Sequence, residues 1–430
     1  MLVDVSPIMP RVLEQYSNNI PNNAFNPEAW VRLKLYYVGT KKRYITELIA
    51  EMAIDQTIWK KFGFPDQPSE SAIYEVLNKR LDNKTLADIE DLARTAMIME
   101  GETKAVTFGE NVSQDSTPIP TTQNDPDGKY NGHYKCRMLK ANIALDLDHK
   151  LELESEVYGG TEYDGDHAYS MFEKMKGFIA EDATQYGDGH FSAAAAWAIL
   201  STTTNYQLKL SIEKGFTITV EEAEVALKKE YQRHHTDSTF NATDDCDEMA
   251  RWLVEKYVEG FLGGVNQINQ AYELDRALRR LKRQIWKMKK LARISFHDED
   301  WDTLYELANK IIGLEDECQV LKTTADSTHL EGDAQKKENG KHLKIVGQYY
   351  KSKAKAAESA RETPDPNLRS LSETKNSELK RTAGLHGIVA RGVEKNQAYL
   401  DTLLCLKFLF VRQRLIFGYR KDLASMYRLA

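Results

Sequence analysis

Between residues 105 and 210 the hydrophobic pattern switches repeatedly between a period of two and a helical period, and few folds accommodate that order. Ala105–Asp115 reads as a strand, and a loop rich in Pro, Asn, Asp and Gly follows from Pro118 to Gly132. Leu139–Asp148 and Leu151–Tyr158 each alternate apolar and polar residues across a short turn, the pattern of a hairpin. A helix is expected from His167 to Lys176 and a short buried strand over Gly177–Asp182. An alanine-rich helix from Gly189 to Leu200 and a strand from Tyr206 to Leu210 complete the run.

The order is therefore β-β-β-α-β-α-β. With a later helix added, it is that of a ribonuclease H-like fold, a mixed sheet flanked by helices. The expected class is α/β with large helical parts. Four regions follow: a helical N-terminal domain over 1–104, the first part of the core over 105–216, a helical insertion over 217–345, and the second part of the core with C-terminal helices over 346–430.

In the first region Ile45–Asp55 has apolar residues at helical spacing, and Ser69 is a candidate N-cap for an amphipathic helix reaching Asp82. With Lys79 and Arg80 on it, that helix reads either as half of a DNA-binding helix-turn-helix or as an ordinary packing helix. In the insertion, Leu274, Leu278, Leu281, Ile285 and Met288, then Leu304, Leu307, Ile311, Leu314 and Leu321, recur at heptad-like spacing, which predicts an antiparallel helical hairpin. The stretch from Arg276 to Arg293 holds nine basic residues and no acid. It is either the solvated face of a coiled coil or a phosphate-contacting helix. Glu331–Lys341 reads as a polar turn, and Gln397–Tyr427 as apolar helices returning to the core.

Charge is unevenly placed. The net charge is −7, yet from Lys336 onward there are 20 Lys and Arg against 9 Asp and Glu. That suits a basic binding face beside an acidic body. The longest apolar run, Leu403–Val411, is too short to span a bilayer and contains Lys407. No secretion signal is read at the N-terminus, and the four cysteines form no CxxC pair, which argues against a zinc knuckle and for a reducing compartment.

Three acids stand where such a fold gathers them: Asp115 at the end of the first strand, Asp182 at the end of the fourth, and Glu373 on a late helix. Oxygen ligands of this kind suit two Mg2+ or Mn2+ ions, which together clamp the attacking and leaving oxygens of a phosphoryl displacement. Arg369 and Lys380, four residues before and seven after Glu373, fall within about 40° of it on a helix, so one acid and two cations share a stripe. Taken singly, each acid also fits a cap, a turn or a surface position. Asp146, Asp148, Asp164 and Asp166 compete with them in the same region.

The stretch Arg369-x3-Glu373-x6-Lys380 resembles part of the Tyr-Arg-Glu-Lys signature of DDE transposases from prokaryotic insertion sequences. Pro366 stands where that family has its Tyr. Gln114–Thr117 is similar to the family's first Asp motif. Ala180–Gly187 is similar to its second, with one extra residue between Asp182 and Tyr186. Gly132–Lys140, Tyr163–His167 and Gly384–Gly392 resemble further features in the right order.

The resemblance implies metal-dependent cleavage at transposon ends, followed by strand transfer into target DNA. Asp115, Asp182 and Glu373 would hold two ions. Arg369, Lys380, Lys140, Lys135 and Arg391 would contact DNA. It also implies double-stranded terminal repeats and target DNA as partners, a homodimeric synaptic complex, and a cytoplasmic, nucleoid-associated prokaryotic setting. A nuclease of the same fold and a non-catalytic DNA-binding relative are the alternatives.

Overall fold

Six strands form one mixed sheet in the computed structural model, which describes residues 3–16, 25–40, 42, 44–187, 194–210, 212, 215–234, 245–298, 300–359, 391–420 and 423. They are β1 (Asn111–Pro120), β2 (Lys129–Asn131), β3 (Cys136–Asp146), β4 (Leu151–Gly159), β5 (Thr184–Gly187) and β6 (Gln207–Leu210). β3 pairs antiparallel with β1 on one edge and with β2 and β4, placed end to end, on the other. β5 pairs parallel to β1, and β6 parallel to β5. The principal order β4-β3-β1-β5-β6 is that of the ribonuclease H-like sheet, as expected.

Two boundaries differ from the sequence reading. β1 starts later because Ala105 and Gly109 have φ of 54° and 74°, which no strand residue adopts. Gly109 is required there: a Cβ would stand 2.9 Å from Ile179. β1 also runs on through Pro118 and Pro120, which read as loop. Thr121 bonds the Arg137 carbonyl on the β3 side at 2.9 Å. In an alternating strand the two proline nitrogens therefore face the other edge, beyond the described ladder with β5, so the described β3 ladder loses no bond.

The fourth strand is β5, not Gly177–Asp182, which forms turns. Apolar Phe178 and Ile179 suggested a strand, but they pack on the core from those turns. The polar Thr-Gln-Tyr-Gly of β5 gave little strand signal.

Twelve helices surround the sheet among the described residues. In the N-terminal region lie α1 (Met9–Leu13), α2 (Pro27–Gly39), α3 (Ile45–Ile54), α4 (Thr57–Lys61), α5 (Glu70–Glu75) and α6 (Asn83–Thr103). Ser69 caps α5 as expected, accepting from the Ala72 amide at 3.3 Å. α7 (Asp164–Met175) and α8 (Ala194–Thr203) connect the later strands, and α12 (Val393–Ile416) follows the second part of the core. Val5 and, from the N-terminal helices, Leu33, Met52, Leu86 and Met97 share one hydrophobic cluster with Val112 and Ala144 of the sheet, Met171 of α7 and Phe408 of α12. The N-terminal helices and the sheet thus close over a continuous core.

The insertion comprises α9 (Val220–His234), α10 (Cys246–His297) and α11 (Trp301–Ser359). The predicted hairpin is present, with Leu278, Ile285 and Cys318 at its apolar seam. Glu331–Lys341 is not a turn; it lies inside α11. There the two helices touch through glycines: a Cβ on Gly264 would lie 2.6 Å from the Lys336 amide nitrogen, and one on Gly332 would lie 2.8 Å from the Gly264 carbonyl. A composition that reads as a turn serves a close helix crossing instead.

β4 is an edge strand, and α12 covers its open side. Gln397 accepts from the Val157 amide at 2.7 Å and donates to the Ser155 carbonyl at 3.1 Å, replacing a neighbouring strand. Two acids of β4 are buried and paired: Glu152 meets Lys407 at 2.5 Å, and Glu154 meets Arg94 at 2.7 Å. The apolar run that holds Lys407 is therefore a core helix, and no helix among the described residues is long and apolar enough to cross a membrane.

Candidate functional site

Asp115 lies in the middle of β1 opposite Ile143, rather than at the strand's end. Among the described residues the parallel ladder with β5 reaches the pair Gln114–Gly187, and Asp115 is the next β1 residue. Ligand sites in open α/β sheets gather at the carboxyl ends of parallel strands, and Asp115 stands at that position, partly buried. By strand alternation it shares a face with Ser113, Thr117 and Ile119. Ile119 packs with Val393, Leu400 and Leu403, so α12 lies over this face.

The central strand is unusually polar. Ser113, Gln114 and Thr117 are buried. The side-chain amides of Gln114, Asn142 and Gln185 have no hydrogen-bond partner among the described residues. Such groups each cost about 1–3 kcal/mol when unsatisfied, so a sheet built on packing alone would not favour them.

Asp182 is not beside Asp115. It is exposed in the turn before β5, two residues ahead of Thr184, which pairs with Asn111. Asp115 is four residues past Asn111 in the same direction. At ~3.3 Å per residue the Thr184 rung is about 13 Å from Asp115 along the strand, and Asp182 lies in the turn before that rung. Asp188 follows Gly187 in the sequence and lies outside the described residues, as do Arg369, Glu373 and Lys380.

The competing acids have internal partners. Asp146 accepts from the amides of Gly109, Asp148 and His149, each at 2.9 Å. Asp148 accepts from the Asn111 side chain at 3.0 Å. Asp164 binds Lys140 at 2.5 Å, Ser116 at 2.9 Å and the Tyr158 hydroxyl at 3.0 Å. Asp166 pairs with Lys336.

Ser116 is on the face opposite Asp115, so the Asp164 group belongs to the layer under α7. In that layer His167 is held between Glu156 at 3.0 Å and Glu162 at 3.1 Å and stacks on Tyr158 at 3.9 Å. Arg276 of α10 reaches Glu162 at 2.9 Å. Burial works against the imidazolium, but the hydrogen bonds and charges of the two glutamates raise the pKa of His167 to about 9. This layer ties the insertion to the sheet.

The cations sort accordingly. Lys140 is committed to Asp164 and to the Glu162 carbonyl. Lys135 is exposed in the turn between β2 and β3, and Arg391 is exposed just before α12. Half of the basic stretch on α10 is structural. Arg276 holds Glu162, Arg279 donates to the Pro126 carbonyl, Arg283 to the Asn124 carbonyl, and Arg280 bridges Asp127 and Glu394. Lys289 pairs with Glu315 across the hairpin, while Lys282, Lys287, Lys290 and Arg293 are exposed.

The loop held by α10 in turn grips the start of α12. Asp125 accepts from the Gly392 amide at 3.1 Å, and Asp127 accepts from Val393 at 2.9 Å. The described chain resumes at Arg391, and Val393 packs with Ile119 on the sheet face that Asp115 shares.

No protein-family model matches the chain, and no curated protein matches it. Among solved structures it is similar to the piggyBac transposase in a cryo-EM synaptic complex with hairpin DNA, at 11% identity and a TM-score of 0.29, over 86% of this chain and 82% of that one. A likeness at that score decides neither fold nor function.

Proposed function

We propose that this chain is a metal-dependent DNA transposase of the DDE type, acting at the carboxyl end of the β1–β5 pair. The observation that carries the reading is the placement of Asp115, one residue beyond the last parallel pair on the central strand of a ribonuclease H-like sheet. In this reading Asp188, directly after β5, replaces Asp182 as the second acid, and Glu373 remains the third.

Hard carboxylate oxygens are the donor set that Mg2+ or Mn2+ takes. Bound there, two such ions would supply Lewis-acid activation of the attacking and leaving oxygens. The protein's part is to hold the carboxylates and to orient the phosphodiester. Lys135, Arg391 and the exposed cations of α10, together with Arg369 and Lys380, are the proposed backbone contacts. They are basic and polar groups suited to sequence-independent phosphate binding. A homodimer on paired element ends is part of the same proposal.

The test is a reaction of the purified full chain with labelled DNA taken from both flanks of its gene and a supercoiled plasmid with Mg2+ or Mn2+. Joined products support transposition. Cleavage without joining makes the chain a nuclease. DNA binding with neither product makes it a non-catalytic relative.

A further inference from the structure

The helical insertion carries a second cluster of ligating side chains that shares no residue with the proposed DNA site. Glu230 and His234 are four residues apart near the end of α9, and so lie on one helical face. His342 comes from α11. The Oε1 atom of Glu230 is 3.1 Å from Nε2 of His234 and 2.6 Å from Nδ1 of His342, and the three ligating atoms lie within 4.8 Å of one another.

Neighbouring groups fix each ligand. Tyr257 of α10 stacks on His342 with ring centroids 3.9 Å apart and a 16° interplanar angle, and its hydroxyl lies 3.1 Å from the ring nitrogens of His234. Arg233 donates to the other Glu230 oxygen at 2.9 Å, so Oε1 is turned toward the two imidazoles. The Glu230 side chain is 5% exposed and the two histidines 24% and 20%. The site is therefore walled on the protein side and open to solvent on the other.

We propose that Glu230, His234 and His342 bind one divalent transition-metal ion of the Zn2+ class. Two imidazole nitrogens and one carboxylate oxygen are a recurrent zinc donor set, with solvent in the fourth position. Ligands about 2.0–2.1 Å from a tetrahedral ion stand roughly 3.3 Å from one another, so the Glu230–His342 pair has to open by less than an ångström, and the two histidine nitrogens, within 4.8 Å, are in reach of the same ion after a small adjustment. Mg2+ and Ca2+, which take oxygen ligands, are disfavoured by the two nitrogens. Arg233 and Tyr257 act as the outer partners that orient the ligands. The ion would cross-link the last turn of α9 to α11 and so fix the base of the hairpin.

The experiment is calorimetric titration of Zn2+ into the full chain after chelator dialysis, with Co2+ absorption as a coordination readout and melting temperature followed with Zn2+ and with EDTA. Expected are one ion bound at low-micromolar or tighter affinity, a visible Co2+ band of four- or five-coordinate type, and a higher melting temperature with Zn2+. Glu230→Gln, His234→Gln and His342→Gln should each weaken that binding by about a hundredfold or more and abolish the Co2+ band.

Glu230→Gln keeps the size and a hydrogen-bond acceptor, so circular dichroism should show it folded. Binding by the wild type that persists unchanged in all three variants overturns the site, as does wild-type protein that takes up no Zn2+. Mg2+ in large excess should not displace the ion; if it does, the assigned donor set is wrong.

Discussion

Gly187 pairs with Gln114 as the last rung between β5 and β1, and that rung decides which acids can meet. It leaves Asp115 as the next residue on one strand and Asp188 as the next in sequence after the other. It sends Asp182 to the opposite end of the ladder.

The acids can therefore be separated by experiment. Asp115→Asn and Asp188→Asn should each lower metal-dependent DNA cleavage by at least about a hundredfold, the scale of losing one preorganised electrostatic group. Asp182→Asn should stay within about twofold of the parent. Gel-shift binding to DNA should survive all three. Loss of cleavage in Asp182→Asn with activity kept in Asp188→Asn would falsify the assignment.

Much of this fold could be read from periodicity, because its signals are local. The β3–β4 hairpin alternates, the α10–α11 seam repeats at heptad spacing, and Ser69 sits before an amphipathic run. What escaped reading depends on partners distant in sequence. β5 is four polar residues whose strand character comes from β1 and β6. Pro118 and Pro120 are tolerated in β1 because their nitrogens face away from β3. Lys140 looks like a free cation until Asp164 folds onto it, and Arg279, Arg280 and Arg283 of α10 until the 121–128 loop does. Glu230 and His234 are visible as an i, i+4 pair, but nothing local attaches His342 to them.

His167 makes stability depend on pH with a definite sign. Its pKa rises from 6.5 to about 9 on folding, because Glu156 and Glu162 outweigh burial. The folded state therefore binds the proton more tightly. The stabilisation is complete below about 6.5 and is lost as pH rises through about 9. The contribution is on the order of 1–3 kcal/mol. Urea melts between pH 6 and 10 should show the decline in the parent, and His167→Gln should flatten it while being less stable at pH 6.

Asp401 has the opposite character. Burial, the largest cause, and the charge of Glu154 raise it to about 7 from 3.8, against the hydrogen bond from Gln397. A carboxyl raised on folding costs nothing below about 3.8, costs progressively more as pH climbs toward 7, and is constant above that. Asp401→Asn keeps an acceptor for Gln397, which now donates at 2.6 Å. It should raise stability at pH 8 by about 2 kcal/mol and leave it unchanged near pH 4. A destabilised variant at pH 8 would mean that the ionised form is the one the fold prefers.

Two ion pairs on α10 should differ in strength for a reason visible in their surroundings. Asp127 has no exposed side-chain surface, caps Val393 and meets Arg280 at 2.9 Å; Lys289 and Glu315 are about half exposed and meet at 2.6 Å. Water and salt screen the second pair, for which about 0.2–1 kcal/mol is typical. The first has one fully buried member at a helix N-terminus, where a lost partner leaves a carboxylate poorly solvated. A double-mutant cycle on Asp127→Ala and Arg280→Ala should return a coupling of about 1–3 kcal/mol that changes little between low and high salt. The cycle on Lys289→Ala and Glu315→Ala should return under about 0.5 kcal/mol and vanish in high salt. Equal couplings would show that the buried end of Asp127 does not set the strength of the clasp joining the insertion, the 121–128 loop and α12.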